Sequence, residues 1–145
     1  MFFPGLTKTH SLNFEGRYKK ETVLNTYRFA DNFIMPRGYK PDPFDKIWVL
    51  SGNYELPLWY PDLALGRVAF IQRFRTNFFY DYSRISLPNL EANLNAAGSE
   101  LFIDLRLLRL FSMSLGFRYN YLFNDNNLAE TAPFQFVVSR FELVN

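Results

Sequence analysis

The ionisable side chains of this sequence are spread along the chain without a catalytic signature. His10 is the only histidine, and cysteine is absent, which rules out a disulfide framework and a thiolate metal site. His10 has no recognisable partner motif for general acid–base chemistry. The sequence contains no paired carboxylates, phosphate-binding glycine loop, metal-ligand cluster or nucleophile elbow. It therefore predicts a protein that is not an enzyme and uses no metal or cofactor.

Between residues 67 and 83 all the charged residues stand at odd-numbered positions. The odd positions include Arg67, Arg73, Arg75 and Asp81. The even positions are mostly apolar or aromatic: Val68, Phe70, Gln72, Phe74, Thr76, Phe78, Tyr80 and Tyr82. A period of two places one set on each face of an extended strand. This segment is therefore predicted to be a strand with one charged face and one aromatic face.

Similar alternation predicts five more strands, so the fold is expected to be all-β and antiparallel, with one domain over residues 1–145. The segment 99–108 also fits an amphipathic helix, and for 134–144 the sequence does not decide which residues point outward. A long loop is expected at 21–45. The five further strands are predicted at about 10–20, 46–60, 99–108, 112–124 and 134–144.

Long and short connections are predicted to alternate along the chain. The segment 61–66 is short, 85–98 is long with a possible helical turn, and 109–111 is minimal. Gly66 and Gly98 are expected at strand starts, where a turn explains them. Alternation of long external loops with short turns is typical of outer-membrane barrels.

The aromatic residues favour a lipid-facing surface over a water-facing one. Tyrosines such as Tyr80 and Tyr119 lie toward one end of the strands, and Trp59 lies toward the other. Aromatic girdles at both ends of an apolar band characterise transmembrane barrels. The middle of the band is predicted to hold Phe70, Phe74, Phe78, Leu115 and Phe117. The alternative is a soluble antiparallel barrel that carries a small ligand.

In the transmembrane interpretation the opposite face lines a lumen. The residues predicted to line it are Glu55, Arg73, Arg75, Glu100, Asp104, Arg106 and Arg118. For most of them a mutually neutralising wall without chemistry is the favoured interpretation. Sixteen basic and 14 acidic side chains give a net charge of +2, which is too balanced for a nucleic-acid-binding surface.

Two short motifs carry a resemblance to a known family. Arg37, Gly38 and Tyr39 stand in the long loop, and Phe79 to Ser83 read aromatic, any residue, aspartate, any residue, serine. With the openings "NYELPL" and "GSEL", this order resembles the C-terminal part of the bacterial surface antigen family of outer-membrane barrels. That family includes the barrel-assembly insertase and the two-partner secretion pores. Here Ser83 replaces the family's glycine, and Pro36 replaces an aliphatic residue.

The resemblance implies about six strands of a larger barrel in the bacterial outer membrane. It also implies that the loop folds into the lumen, where Arg37 pairs with Asp81. The expected function is insertion or translocation of proteins across that membrane. A passive anchor for an N-terminal soluble domain is the alternative. The partners would be outer-membrane lipid, missing N-terminal strands or a soluble domain, and substrate proteins.

Overall fold

A computed structural model describes residues 2–4, 9–20, 35–40, 46–87, 90–108, 110–124 and 133–143. Their eight strands form one antiparallel sheet that does not close on itself. The sheet order is β1-β2-β3-β5-β6-β7-β8, and β4 pairs with the start of β5. The strands are β1 Phe2–Pro4, β2 Ser11–Lys20, β3 Lys46–Trp59, β4 Leu63–Leu65, β5 Ala69–Leu87, β6 Leu90–Leu107, β7 Phe111–Leu122 and β8 Phe134–Leu143.

The prediction of an all-β antiparallel fold is confirmed. The predicted strands 10–20, 46–60, 112–124 and 134–144 each agree with an observed strand to within two residues. Of the predicted long loop 21–45, only residues 35–40 are described, so most of it lies outside the described residues. Among the described residues, no helix is long and apolar enough to cross a membrane.

The prediction of a long connection at 85–98 is wrong. β5 continues to Leu87 and β6 already begins at Leu90, with Leu87 and Leu90 paired in register. The predicted bounds 67–83 and 99–108 were therefore misplaced, and no helical turn occupies 90–98. The polar composition of this segment suggested a loop, but Ile85 and Leu94 are buried on the same face of the sheet. The helix alternative for 99–108 is also excluded, because these residues belong to β6 up to Leu107.

The two faces of the sheet differ sharply in chemistry. We call the face that carries Asp81, Glu100 and Asp104 the inner face, and all three residues are buried. The opposite, outer face carries large exposed hydrophobic side chains. They include Phe14, Tyr18, Leu50, Phe78, Tyr80, Leu101, Phe117, Tyr119, Tyr121, Phe134, Phe136 and Val138. The last three residues settle which side chains of β8 point outward in its first half.

A bulge in β5 changes the predicted faces near its beginning. The register shifts between Ile71 and Arg73, so Gln72 is the extra residue. Below the bulge Phe70 pairs with Arg106, and antiparallel partners share a face. The prediction that Phe70 lies on the apolar face with the other even positions is therefore wrong.

Proline and glycine have distinct positions in the sheet. Within the described part of the chain, β2 starts at Ser11 opposite Glu55, so Pro57 of β3 pairs with a strand only on its β5 side. An edge position tolerates the missing N–H of proline. Gly66 has a φ of +64° in the turn between β4 and β5, as expected of a turn glycine. Gly98, however, lies in the middle of β6 and not at a strand start.

Candidate functional site

Residues 35–40 lie against the inner face and bring the Arg37, Gly38 and Tyr39 motif onto the sheet. Pro36 is fully buried, and its carbonyl accepts a 3.3 Å hydrogen bond from the Tyr39 N–H. Gly38 has a φ of +83°. A Cβ at this position would stand 2.8 Å from Leu122 Cδ2. The backbone angle favours glycine here, and any other residue would also force the Leu122 side chain to move.

Arg37 and Asp81 are held together by three hydrogen bonds. Arg37 Nε donates to Asp81 Oδ2 at 2.8 Å, and Arg37 Nη2 donates to Oδ1 at 2.8 Å. The Arg37 backbone N–H also donates to Oδ2, at 3.0 Å. The Asp81 side chain is 2% exposed and the Arg37 side chain 16%. The structure therefore brings together the two residues that the sequence analysis expects to pair, in the bidentate geometry that arginine favours.

Tyr39 anchors the C-terminal end of the motif in a hydrophobic cluster. It is buried in a cluster with Ile47, Val49, Ile85, Leu94 and Ala96, and Met35 and Leu122 pack against this cluster. Its Oη lies 2.9 Å from the Asn95 carbonyl oxygen and donates to it. A tyrosine suits this place because it buries a large ring and still satisfies its hydroxyl. The motif thus combines an ion pair with a hydrophobic anchor.

The Arg37 guanidinium stacks on an aromatic ring of the sheet. The Arg37 Cζ atom lies 3.7 Å from the centroid of the Phe79 ring. Phe79 pairs with Gly98 across β5 and β6, and a Cβ on Gly98 would stand 2.6 Å from Phe79 Cζ. The ring therefore lies directly over the glycine. We call Arg37, Phe79 and Gly98 the upper stack.

A second stack repeats this arrangement one strand further on. The Arg75 Cζ atom lies 4.4 Å from the centroid of the Phe102 ring. Phe102 pairs with Gly116 across β6 and β7, and a Cβ on Gly116 would stand 2.4 Å from Phe102 Cδ1. We call Arg75, Phe102 and Gly116 the lower stack. Sequence reasoning missed both stacks, because they depend on which glycine stands opposite which phenylalanine.

Glu100 is the centre of one charged cluster on the inner face. Its Oε1 accepts a 2.5 Å hydrogen bond from Arg118 Nε, and Arg37 Nη1 lies 3.7 Å from the same oxygen. Its Oε2 accepts a 2.8 Å hydrogen bond from Asn77 Nδ2. The cluster therefore connects the loop motif to the sheet through a second carboxylate. Asn77 was missed by the sequence prediction, although its odd-numbered position placed it on this face.

Asp104 is the centre of a second cluster. It accepts hydrogen bonds from Arg73 Nε, from Arg75 Nε at 3.3 Å and from Ser114 Oγ at 2.5 Å. Arg75 Nη1 also donates to Glu55 Oε1 at 2.9 Å. Six of the seven predicted lumen-lining residues thus join the two clusters. Arg106 does not: it shares their face, but its buried Nε has no hydrogen-bond partner among the described residues.

Two further residues of interest occupy well-defined positions. Ser83, which stands where the family resemblance expects glycine, is fully buried, and its Oγ donates to the Leu94 carbonyl oxygen at 2.9 Å. The hydroxyl is satisfied by the neighbouring strand, so the serine is accommodated. His10 Nδ1 lies 2.6 Å from Tyr54 Oη in a partly buried pair. His10 is therefore part of a packing contact with β3.

Charge-assisted hydrogen bonds connect most of the charged side chains on the inner face. Four arginines (Arg37, Arg73, Arg75 and Arg118) are matched by four carboxylates (Glu55, Asp81, Glu100 and Asp104). No group of three or more potential metal ligands occurs within the described ranges. The chain matches no family model, no curated protein and no solved structure.

Proposed function

We propose that this chain is part of a β-barrel of the bacterial outer membrane that takes part in insertion or translocation of proteins. The observation that carries the proposal is the inverted chemistry of the sheet, with apolar rings exposed and charged side chains buried. Phe78 is 52% exposed and Phe117 62%, whereas the Asp81 side chain is 2% exposed. In water this exposure would be unfavourable, but lipid is the natural solvent for such a surface.

The placement of aromatic pairs supports the same proposal. On the outer face Trp59 stacks against Phe74 toward one end of β3, and Trp48 contacts Tyr82 toward the other. Trp48 and Trp59 are eleven steps apart in β3, which is ~36 Å at ~3.3 Å per residue. A tilt of ~40° reduces this to ~28 Å, close to the ~25 Å apolar band of outer-membrane barrels.

The inner face supports a role in addition to crossing the membrane. In the proposed barrel this face lines the lumen, and the Arg37, Gly38 and Tyr39 motif is fixed inside it. Buried charges are tolerated there because each carboxylate has an arginine partner. The sheet ends at β8 on one side, and on the other side at β1 and the part of β2 that β1 does not cover. These two edges would pair with strands supplied from outside this chain, since lipid does not tolerate unpaired backbone groups.

The test compares one substitution on each face in lipid vesicles. Phe78→Arg should destabilise the inserted protein by about 2–4 kcal/mol, because it places a charge in the apolar band. Arg73→Gln is the control on the inner face and should cost much less, since the Arg73 side chain is 44% exposed. Reversible urea unfolding of the vesicle-inserted protein measures both. If Arg73→Gln were the damaging change and Phe78→Arg had no effect, the faces would be assigned the wrong way round.

The transport role needs a separate readout. Arg37→Ala in the full-length barrel should lower the rate at which a substrate protein is inserted or translocated, while the barrel still inserts. The measurement is a reconstituted vesicle assay with a protease-protected substrate. An unchanged rate for an inserted Arg37→Ala barrel would favour a passive anchor.

A further inference from the structure

Two lysines stand directly opposite each other on the outer face. Lys20 is the last residue of β2 and Lys46 is the first residue of β3, and the two are partners in the register of these strands. Both side chains are exposed, and each lysine stands two positions from Tyr18 or Trp48, which lie on the same face. Like charges directly opposite each other in a sheet are destabilising. We call Lys20 and Lys46 the lysine pair.

No carboxylate of the described residues compensates the lysine pair. None of the ion pairs within the described ranges involves either lysine. Arg84, the β5 partner of Trp48, is already matched by Glu91. Ser86, the β5 partner of Lys46, adds a hydroxyl and no charge. The counter-ion of the lysine pair must therefore come from outside the described residues.

The lysine pair lies immediately beyond an aromatic layer of the outer face. Trp48 contacts Tyr82, with their ring centroids 5.1 Å apart, and Tyr18 is the β2 partner of Trp48. The next position on the same face is two residues further along each strand, or ~7 Å, and there the lysines stand. In a lipid-facing barrel such rings lie at the membrane–water interface, so the ammonium groups reach the level of the lipid headgroups.

The two ends of the outer face differ in charge. Apart from Lys40, the described lysines all lie at the end of β2 or the start of β3: Lys19, Lys20 and Lys46. At the opposite end the exposed side chains of Leu58, Trp59 and Leu63 carry no charge. One aromatic layer is thus accompanied by the lysine pair and the other is not, which provides a control within the same molecule.

We propose that the lysine pair binds the phosphate group of a membrane lipid. Opposite side chains of an antiparallel pair have their Cβ atoms only ~5 Å apart, so the two ammonium groups can donate hydrogen bonds to different oxygens of a single phosphate. That the phosphate belongs to a lipid rests on the membrane placement of the outer face in the proposed function. It does not depend on transport.

The two tryptophans of the chain report the lipids at the two ends separately. Trp59→Phe leaves Trp48 beside the lysine pair, and Trp48→Phe leaves Trp59 at the opposite end. Each variant of the full chain is inserted into phosphatidylcholine vesicles with a small fraction of phosphatidic acid whose acyl chains carry bromine, which quenches tryptophan fluorescence on contact. Parallel vesicles contain the same fraction of brominated phosphatidylcholine. Around Trp48, phosphatidic acid should bind at least about fivefold more strongly than phosphatidylcholine, and around Trp59 the two lipids should quench equally.

A matched set of lysine variants locates the effect. In the Trp59→Phe protein, Lys20→Gln combined with Lys46→Gln should lower the binding of phosphatidic acid at least about fivefold, to the level of phosphatidylcholine. Lys40→Gln is the control, because Lys40 is an exposed lysine of the 35–40 segment, which lies against the inner face. It should leave the preference unchanged. Equal losses in both proteins would show only general charge attraction and would contradict a specific site.

The remaining outcomes separate the lysine pair from the barrel. Quenching of both tryptophans by brominated phosphatidylcholine, without a preference for phosphatidic acid, would overturn the site alone. Glu21 and Asp45, which lie outside the described residues, would then be the nearest carboxylates in the sequence to supply the counter-charge. Displacement of phosphatidic acid by an equal total concentration of inorganic phosphate would show that the lysines prefer free phosphate and would overturn the lipid assignment. No quenching of either tryptophan by any brominated lipid would overturn the membrane placement of the outer face, and the lipid site with it.

Discussion

The upper and lower stacks are built alike but do different work. In each, an arginine lies over a phenylalanine that lies over a cross-strand glycine. Arg37 of the upper stack comes from the 35–40 segment, outside the sheet strands, whereas Arg75 of the lower stack belongs to β5 itself. The Asp81 side chain that binds Arg37 is 2% exposed, whereas the two carboxylates that bind Arg75 are 8% exposed (Asp104) and 40% exposed (Glu55).

This difference shows how one local device serves two purposes. A glycine opposite a phenylalanine makes room for a flat ring, and the ring offers its face to a guanidinium. When the guanidinium comes from the same sheet, the stack only fills the inner face. When it comes from a distant segment, the stack fixes that segment to the sheet.

The two stacks should differ most in the free energy of unfolding that is lost when a carboxylate bound to the arginine is removed. Asp81→Ala should destabilise the protein by about 3–5 kcal/mol, because the mostly buried Arg37 loses three hydrogen bonds and keeps only the 3.7 Å contact with Glu100. Glu55→Ala should cost about 1 kcal/mol or less, as for exposed pairs. Urea unfolding in micelles measures both.

A double-mutant cycle with Arg37→Ala and Asp81→Ala should give a coupling above the ~0.2–1 kcal/mol of exposed pairs. Additive effects in this cycle would show that the contact does not stabilise the loop.

The next largest effect is expected at the glycines. A Cβ on Gly98 would stand 2.0 Å from the Tyr119 carbonyl oxygen, and one on Gly116 would stand 3.0 Å from the Leu101 carbonyl oxygen. Gly98→Ala should therefore cost about 3 kcal/mol, and Gly116→Ala about 1–2 kcal/mol, because only the first forces the backbone to move. Thermal unfolding of the two variants ranks them. The reverse order would mean that the lower stack is the more rigid one.

A smaller effect is expected from the rings. Phe79→Leu and Phe102→Leu keep an apolar side chain but remove the aromatic face, at a cost of about 1 kcal/mol or more for the lost cation–π contact and packing. Only Phe79→Leu should also loosen the 35–40 segment. Hydrogen exchange of the Tyr39 amide reports this, and equal protection in both variants would contradict a holding role for the upper stack.

The smallest effect is expected from Arg75→Lys, which should cost about 1 kcal/mol, because lysine keeps a positive charge opposite the 40% exposed Glu55. Arg37→Lys should cost more, since lysine cannot reproduce the bidentate contact to Asp81. Urea unfolding of Arg75→Lys and Arg37→Lys under the same conditions shows, for each stack, whether the planar guanidinium is required or a positive charge is enough. Equal costs would indicate that charge alone is sufficient at both.

The sequence by itself determined the strand class of the fold and the two faces. Alternation with period two is a local property of the sequence. It therefore predicted β3, β5 and β7 and placed Glu55, Asp81 and Arg118 on one face. The pairing of Arg37 with Asp81 also followed from the sequence, but only through the family resemblance. Nothing in the spacing of residues separated by 44 positions indicates a contact.

Only the tertiary structure decided the features that depend on register. The bulge at Gln72 moved Phe70 to the inner face, and the hairpin between Leu87 and Leu90 replaced a predicted loop. Both stacks likewise need Gly98 opposite Phe79 and Gly116 opposite Phe102. Register is fixed by hydrogen bonding between strands across the whole sheet, and a shift of one residue changes every face, so no local pattern can supply it.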